Sequence, residues 1–193
     1  MIHNELYKPG FLEVICGCMK SGKTAHLMNR LEPINYLPNV SCQIYKPPID
    51  DRFSLNQIMD RAGRSYNCQN LEDTSILDKE DSHIVCIDEA QFFDETLLDK
   101  IIKLQKNKSN VVVAGLDLDF RGKPFGIMPY LLSMADQVTK LHAVCEYPGC
   151  PNIASRSQKM VDGKPAPYAS DTMEIGDSIY QARCILHHEV NYD

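Results

Sequence analysis

The chain has 193 residues, 44% of them hydrophobic, and carries 20 Lys and Arg against 26 Asp and Glu, a formal net charge of -6. That is enough apolar material for one compact core with a small satellite module. The acidic balance argues against the broad basic footprint of a nucleic-acid-binding protein, so nucleic acid is not an expected partner.

No apolar run approaches the roughly 20 residues that cross a bilayer. The opening MIHNELYKPG has neither an apolar signal core nor an Arg-rich amphipathic pattern, so a cytoplasmic protein with no membrane contact is expected. Eight cysteines fit a reducing compartment better than a disulfide framework. Cys16, Cys42 and Cys86 lie in apolar runs and read as buried thiols.

In chain order, the first expected strand is FLEVIC (11–16), followed by GCMKSGKT (17–24) and a helix over 23–31. A second strand is VSCQIY (40–45). Residues 47–70, polar and broken by Pro and Gly, read as a long loop or flap with room for a short helix. Then come a strand HIVCID (83–88), a helix ETLLDKIIKLQKN (95–107), a strand VVVAGL (111–116), a helix IMPYLLSMAD (127–136) and a strand QVTKL (137–141). The helix over 95–107 has apolar residues at 97, 98, 101, 102 and 104, one helical face. Pro129 suits the first turn of the helix over 127–136. The middle strands are nearly continuous in apolar residues, as in strands covered on both faces. Strands alternating with helices predict an α/β fold with a parallel sheet and right-handed crossovers. From residue 142 the apolar alternation stops, which predicts two units, 1–141 and 142–193.

GCMKSGKT fits the phosphate-loop pattern G-x-x-x-x-G-K-[ST], with the required strand before it and helix after it. Gly17 and Gly22 would let the backbone of Cys18, Met19, Lys20 and Ser21 curl around the phosphates of a bound triphosphate. Lys23 would reach the β- and γ-phosphates, and the Thr24 hydroxyl would ligate Mg²⁺. The helix N-terminus would aim its positive dipole end at the anion. HIVCIDEAQFF (83–93) supplies the second half of such a site. Asp88 ends an apolar strand and would hold Mg²⁺. Glu89 follows it at the carboxyl edge of the sheet, where open α/β sheets bind ligands, and is a candidate catalytic base.

Four blocks then carry a family resemblance: GCMKSGKT, DEAQFF, GLDLDFRGKPFG (115–126) and a cysteine-bearing tail with DGKP and Tyr180 before Cys184. Together they span nearly the whole chain, which resembles the cytosolic, zinc-containing thymidine kinases of bacteria, animals and large DNA viruses. The resemblance implies transfer of the γ-phosphate of ATP to the 5′-hydroxyl of thymidine, giving dTMP, with Glu89 as the base. It places Asp50, Asp51 and Arg52, in DDR, near the phosphates, and Asp88 and Gln91 in the phosphate–Mg²⁺ neighbourhood. Phe120 matches an aromatic residue that contacts the nucleoside. Thr172, Met173, Glu174, Ile175, Gly176 and Tyr180 match a nucleoside-binding segment, and Met19, Leu116 and Ser157 fall around the thymine methyl. The family also implies a homotetramer and dTTP as feedback inhibitor.

Cys145 and Cys150, then Cys184 and His187, form Cys-x₄-Cys and Cys-x₂-His, spacings that can close a tetrahedral structural Zn²⁺ site, with His188 the alternative to His187. The first pair is two residues longer than the family's commoner Cys-x₂-Cys. Between the pairs, 155–180 is too polar for a core, and the resemblance makes it a lasso-like lid over the base. Two other readings compete: a kinase for another deoxynucleoside or small alcohol, and a zinc-ribbon ATPase acting as a switch on nucleic acid.

Overall fold

The protein is described by a computed structural model over residues 9–50, 56–173 and 180–192. Its centre is a six-stranded sheet of β1 (Leu12–Gly17), β2 (Cys42–Lys46), β5 (Gln69–Asn70), β6 (Ile84–Ile87), β7 (Asn110–Gly115) and β8 (Gln137–Leu141), in the order β5-β2-β6-β7-β1-β8. Every pairing in it is parallel. All carboxyl ends therefore share one edge, and the loops after β1, β6 and β7 meet there.

Alternation along the strands builds two cores. Leu12, Val14 and Cys16 of β1 face one side, with Val85, Ile87, Val111 and Val113. Against them pack Leu97, Ile101 and Leu104 of α2 (Thr96–Lys106) and Met128 and Leu131 of α3 (Met128–Met134). Ile15, Ile44, Cys86, Val112 and Ala114 face the other side, under Leu27, Met28 and Leu31 of α1 (Lys23–Leu31). Burying each such aliphatic side chain contributes about 1.5–3 kcal/mol. Glu13, on the α1 side of β1 and buried, is satisfied by Arg30 of α1 at 3.0 Å.

The expected strands and helices of the first unit all form, within a few residues of the expected ends. The described part of 47–70, expected as a long loop or flap, carries the antiparallel hairpin β3 (Gln57–Met59) and β4 (Ser65–Asn67), followed by β5. Its turn is closed by Asp60, whose Oδ1 accepts from the N–H groups of Ala62 and Arg64 while Oδ2 pairs with the Arg64 side chain. Ile58 drops into the core beneath α1.

After β8 the chain leaves the main sheet. A hairpin of β9 (Ala143–Val144) and β10 (Ile153–Ala154) is followed by a small antiparallel sheet of β11 (Arg156–Val161), β12 (Lys164–Pro165) and β13 (Tyr180–Arg183). The expectation that 155–180 is too polar to be core is corrected for its first part. Ser157, Gln158 and Lys159 are each at most 2% exposed. Their polar atoms are satisfied internally: Gln158 exchanges two hydrogen bonds with the backbone of Glu189, and Lys159 Nζ donates to the Asp171 carbonyl at 2.7 Å.

Candidate active site and metal centre

The loop from β1 into α1 is shaped by glycine at both ends. Gly17 has φ 144°, and a Cβ there would sit 2.2 Å from the carbonyl oxygen of Leu141 on the neighbouring β8. Gly22 precedes α1 at φ 86°, and no side chain caps the helix, so its first N–H groups point into the loop. Ser21 Oγ is buried without a hydrogen-bond partner among the described residues, as suits a donor awaiting an anion. Lys23, buried, reaches across the loop to the Cys18 carbonyl at 3.1 Å.

Sheet topology brings Asp88, at the end of β6, to the start of α1. Thr24 Oγ1 donates to Asp88 Oδ2 at 3.2 Å across 64 residues of sequence. A hydroxyl and a carboxylate oxygen so paired are the donor set that a hard cation such as Mg²⁺ takes.

Glu89 is 6% exposed and sits in the left-handed region at φ 50°, ψ 44°. A non-glycine residue there stores strain, a frequent feature of functional positions. Its N–H is bonded to Asp88 Oδ1 at 3.0 Å, and its Oε2 accepts from Gln91 Nε2 at 2.7 Å. Gln91 in turn accepts from the Leu116 N–H at 2.8 Å, tying the carboxylate to the end of β7. Glu89 lines one cleft with Lys20, Lys23 and Thr24, whose far wall is Asp60 and Arg61 of the hairpin. Beside it lies a buried apolar cluster of Met19, Leu116, Phe120, Phe125, Ala166 and Tyr180, with Phe92 edge-on to Phe125 at 5.7 Å.

In the C-terminal unit, the ligand atoms of Cys145, Cys150, Cys184 and His187 all lie within 4.8 Å of one another. Cys150 and Cys184 sulfurs are 3.9 Å apart, and His187 Nδ1 is 3.8 Å from Cys145 Sγ and 3.3 Å from Cys184 Sγ. A tetrahedron with Zn–S of about 2.3 Å and Zn–N of about 2.0 Å has edges of about 3.5–3.8 Å, so three thiols and an imidazole here fit Zn²⁺. Burial opposes ionisation of the Cys184 thiol. The N–H groups of Leu186 and His187 and the thiols of Cys145 and Cys150 outweigh it and bring the thiol down to about 6, favouring the thiolate that ligates. Tyr147 stacks on the His187 ring at 4.0 Å, nearly parallel, and orients it. His188 is directed elsewhere, with Nε2 on the Phe120 carbonyl at 2.8 Å.

The family model for thymidine kinase matches residues 10–188. The chain is also 50% identical over 184 residues to a thymidine kinase of Coprothermobacter proteolyticus, covering 94% of this chain and 91% of that protein. The chain belongs to the thymidine kinase family.

Within this thymidine kinase family member, the loop residues 17–24 and Asp88, Glu89 and Gln91 meet at the carboxyl edge of the sheet. Cys18 and Met19 belong to the phosphate loop, Met19 lining its cleft. The Cys18 thiol points into the C-terminal unit, and Met19 joins the apolar cluster while its N–H donates to Ser157 Oγ. Gln91 is held between Glu89 and Leu116. Asp50 is buried at the head of the 51–55 stretch. Thr172 is half-buried and Met173 more exposed, its N–H on Asp171 Oδ1. Asp51, Arg52, Glu174, Ile175 and Gly176 lie outside the described residues. Two cations were not anticipated. Arg121 donates to the carbonyls of Tyr168 and Ser170 at 2.7 and 2.9 Å, and Lys159 to that of Asp171; both flank the Phe120 ring, at 5.0 and 5.6 Å from its centroid. Arg121 lies in the GLDLDFRGKPFG block and Lys159 in no motif, and neither shows in sequence the distant backbone oxygens it meets.

Proposed function

We propose that the chain transfers the γ-phosphate of ATP to the 5′-hydroxyl of thymidine, giving ADP and dTMP. The observation that carries the reading is the position of Glu89. Its carboxylate lines the phosphate-loop cleft beside the Thr24–Asp88 pair, and Gln91 ties it to Leu116 of the apolar cluster.

The roles follow from chemistry. The N–H groups of the loop and of the first turn of α1 bind the phosphates, and Lys23 swings from the Cys18 carbonyl onto the β- and γ-phosphate oxygens. Thr24 and Asp88 would hold Mg²⁺, which supplies charge neutralisation to the transferring group. Thymidine lies against Phe120 and Tyr180, with Met19, Leu116 and Ser157 around its methyl group. Glu89 accepts the proton of the 5′-hydroxyl as that oxygen bonds to the γ-phosphorus and the bond to the β-phosphate oxygen breaks. Such transfer is mostly positioning and electrostatics, and a base contributes about 10²–10⁴-fold. Arg52, Asp50 and Asp51 complete the phosphate side in this reading, and 172–176 the base side.

Cys145, Cys150, Cys184 and His187 would hold a structural Zn²⁺ that closes both ends of the 155–180 segment. Arg121 and Lys159 fasten that segment's backbone beside Phe120. The family resemblance adds a cytoplasmic homotetramer inhibited by dTTP; sedimentation and inhibition by dTTP test those two points. The activity itself is tested by incubating the purified protein with Mg-ATP and thymidine. Stoichiometric ADP and dTMP support it, and ADP formation independent of any nucleoside would favour an ATPase.

A further inference from the structure

Three consecutive residues of the phosphate loop are each fastened to the C-terminal unit. The Cys18 thiol donates to the Ala154 carbonyl at 3.4 Å, the Met19 N–H to Ser157 Oγ at 2.9 Å, and Lys20 Nζ pairs with Glu146 Oε1 at 2.7 Å. The partners are 126 to 138 residues away in sequence. Cys18 packs in a small core with Ala154, Ala182, Cys145 and Cys184. Glu146 is bifunctional: its Oε2 accepts from the Ala182 N–H at 2.6 Å, and its own N–H donates to the Ala182 carbonyl at 2.8 Å. Ser157 pairs with that same Ala182 across β11 and β13 and is 1% exposed.

We propose that Ser157 and Glu146 are positioning residues for the phosphate donor, holding residues 18–20 of the loop in the shape that presents its N–H groups to the triphosphate. The C-terminal unit is then part of the ATP site as well as the cover of the nucleoside. The inference rests on the ATP-dependent reading above.

Two physical points support it. Lys20 has φ 65°, a left-handed conformation that a non-glycine residue keeps only when its surroundings hold it. Glu146, through its carboxylate, is what the end of that side chain meets. The ammonium and carboxylate meet at 2.7 Å, the contact of a charge-assisted hydrogen bond, while the second carboxylate oxygen is held by the Ala182 N–H. Secondly, a nest of N–H donors gains affinity from being formed before the anion arrives. The bond to Ser157 fixes which way the Met19 peptide faces.

The test is calorimetric binding of a non-hydrolysable ATP analogue with Mg²⁺ to the full chain, in the absence of thymidine so that base contacts play no part. Ser157→Ala leaves the buried Met19 N–H without its acceptor and is expected to raise the analogue Kd about tenfold. Glu146→Gln keeps an acceptor for Ala182 but loses the ionic tie, and is expected to raise the Kd about threefold to fivefold, less at high salt. In turnover, Glu146→Gln should raise KM for ATP while kcat and KM for thymidine stay within about twofold. A Kd within about twofold of wild type for both variants would overturn the inference while leaving the kinase reading intact. Equal rises in both KM values for Glu146→Gln would also overturn it, because they would mark a general loosening. If the wild-type protein bound no ATP analogue, the kinase reading itself would fail. Should Ser157→Ala not fold, Glu146→Gln decides alone.

Discussion

Glu89 and Gln91 form a hydrogen-bonded pair, Nε2 to Oε2 at 2.7 Å, in which the amide oxygen is also engaged by the Leu116 N–H. One side chain thereby links the carboxyl ends of two strands separated in sequence and helps to orient the Glu89 carboxylate. Glu89→Gln should keep the fold and ATP binding and lower kcat by about 10²–10⁴-fold. Steady-state turnover beside calorimetric ATP-analogue binding checks this; near-wild-type kcat would remove Glu89 from the role of base.

Gln91→Leu should give an intermediate defect. It leaves the Leu116 N–H without its acceptor and removes one of the bonds that orient the Glu89 carboxylate, and misplacement of a reacting group by about 1 Å costs up to about 10²-fold. The expected result is a fall in kcat with little change in KM for ATP. A rise in KM for ATP alone would return Gln91 to the phosphate side.

Gly17→Ala places a Cβ 2.2 Å from the Leu141 carbonyl oxygen at φ 144°. β1 and β8 must part or the loop must rotate, at a cost of about 3 kcal/mol or more. Urea unfolding should show the loss, and ATP binding should weaken in the folded fraction. An unchanged urea midpoint would contradict the close packing of these two strands.

Purified protein should carry one zinc per chain, and Cys184→Ser should lose it. A metal on this cluster would tie the tail and not the main sheet, so hydrogen exchange should rise first in 155–173 and the 180–192 segment, while β1, β6 and β7 stay protected. Metal content below about a tenth of an equivalent in protein prepared without chelators would sink the assignment.

How much of this was legible in sequence depended on the kind of signal. Where burial follows apolar periodicity, as in Leu97, Ile101 and Leu104 or Val111 to Ala114, the elements could be read from the chain. Motif spacing likewise identified the Thr24–Asp88 pair and the Cys145–Cys150–Cys184–His187 cluster. It could not choose between His187 and His188. That choice is made by a turn in which the His187 N–H meets the Cys184 carbonyl, leaving His188 to face Phe120. β11 was missed because its buried residues Ser157, Gln158 and Lys159 are polar and satisfied by distant backbone. The hairpin over 57–67 was missed because its turn depends on one carboxylate, Asp60, rather than on a strong turn dipeptide. Cys18 looked like an ordinary member of the loop motif, and only tertiary contact reveals that its thiol points to Ala154.

The central claim is that this site phosphorylates thymidine, and the most direct measurement is kcat/KM for thymidine, deoxyuridine, deoxycytidine, deoxyadenosine and deoxyguanosine with Mg-ATP. Fixed backbone donors and acceptors over the base, as the family resemblance implies, would suit O4 and N3–H of thymine; cytosine presents the opposite pattern, and the mismatch can reach about 10⁴-fold. Deoxyuridine lacks only the methyl group that Met19 and Leu116 would contact, worth roughly 1–3 kcal/mol. The account predicts thymidine first, deoxyuridine tolerated, and deoxycytidine and the purines poor. Comparable values for deoxycytidine and thymidine, or no monophosphate from thymidine at all, would contradict it.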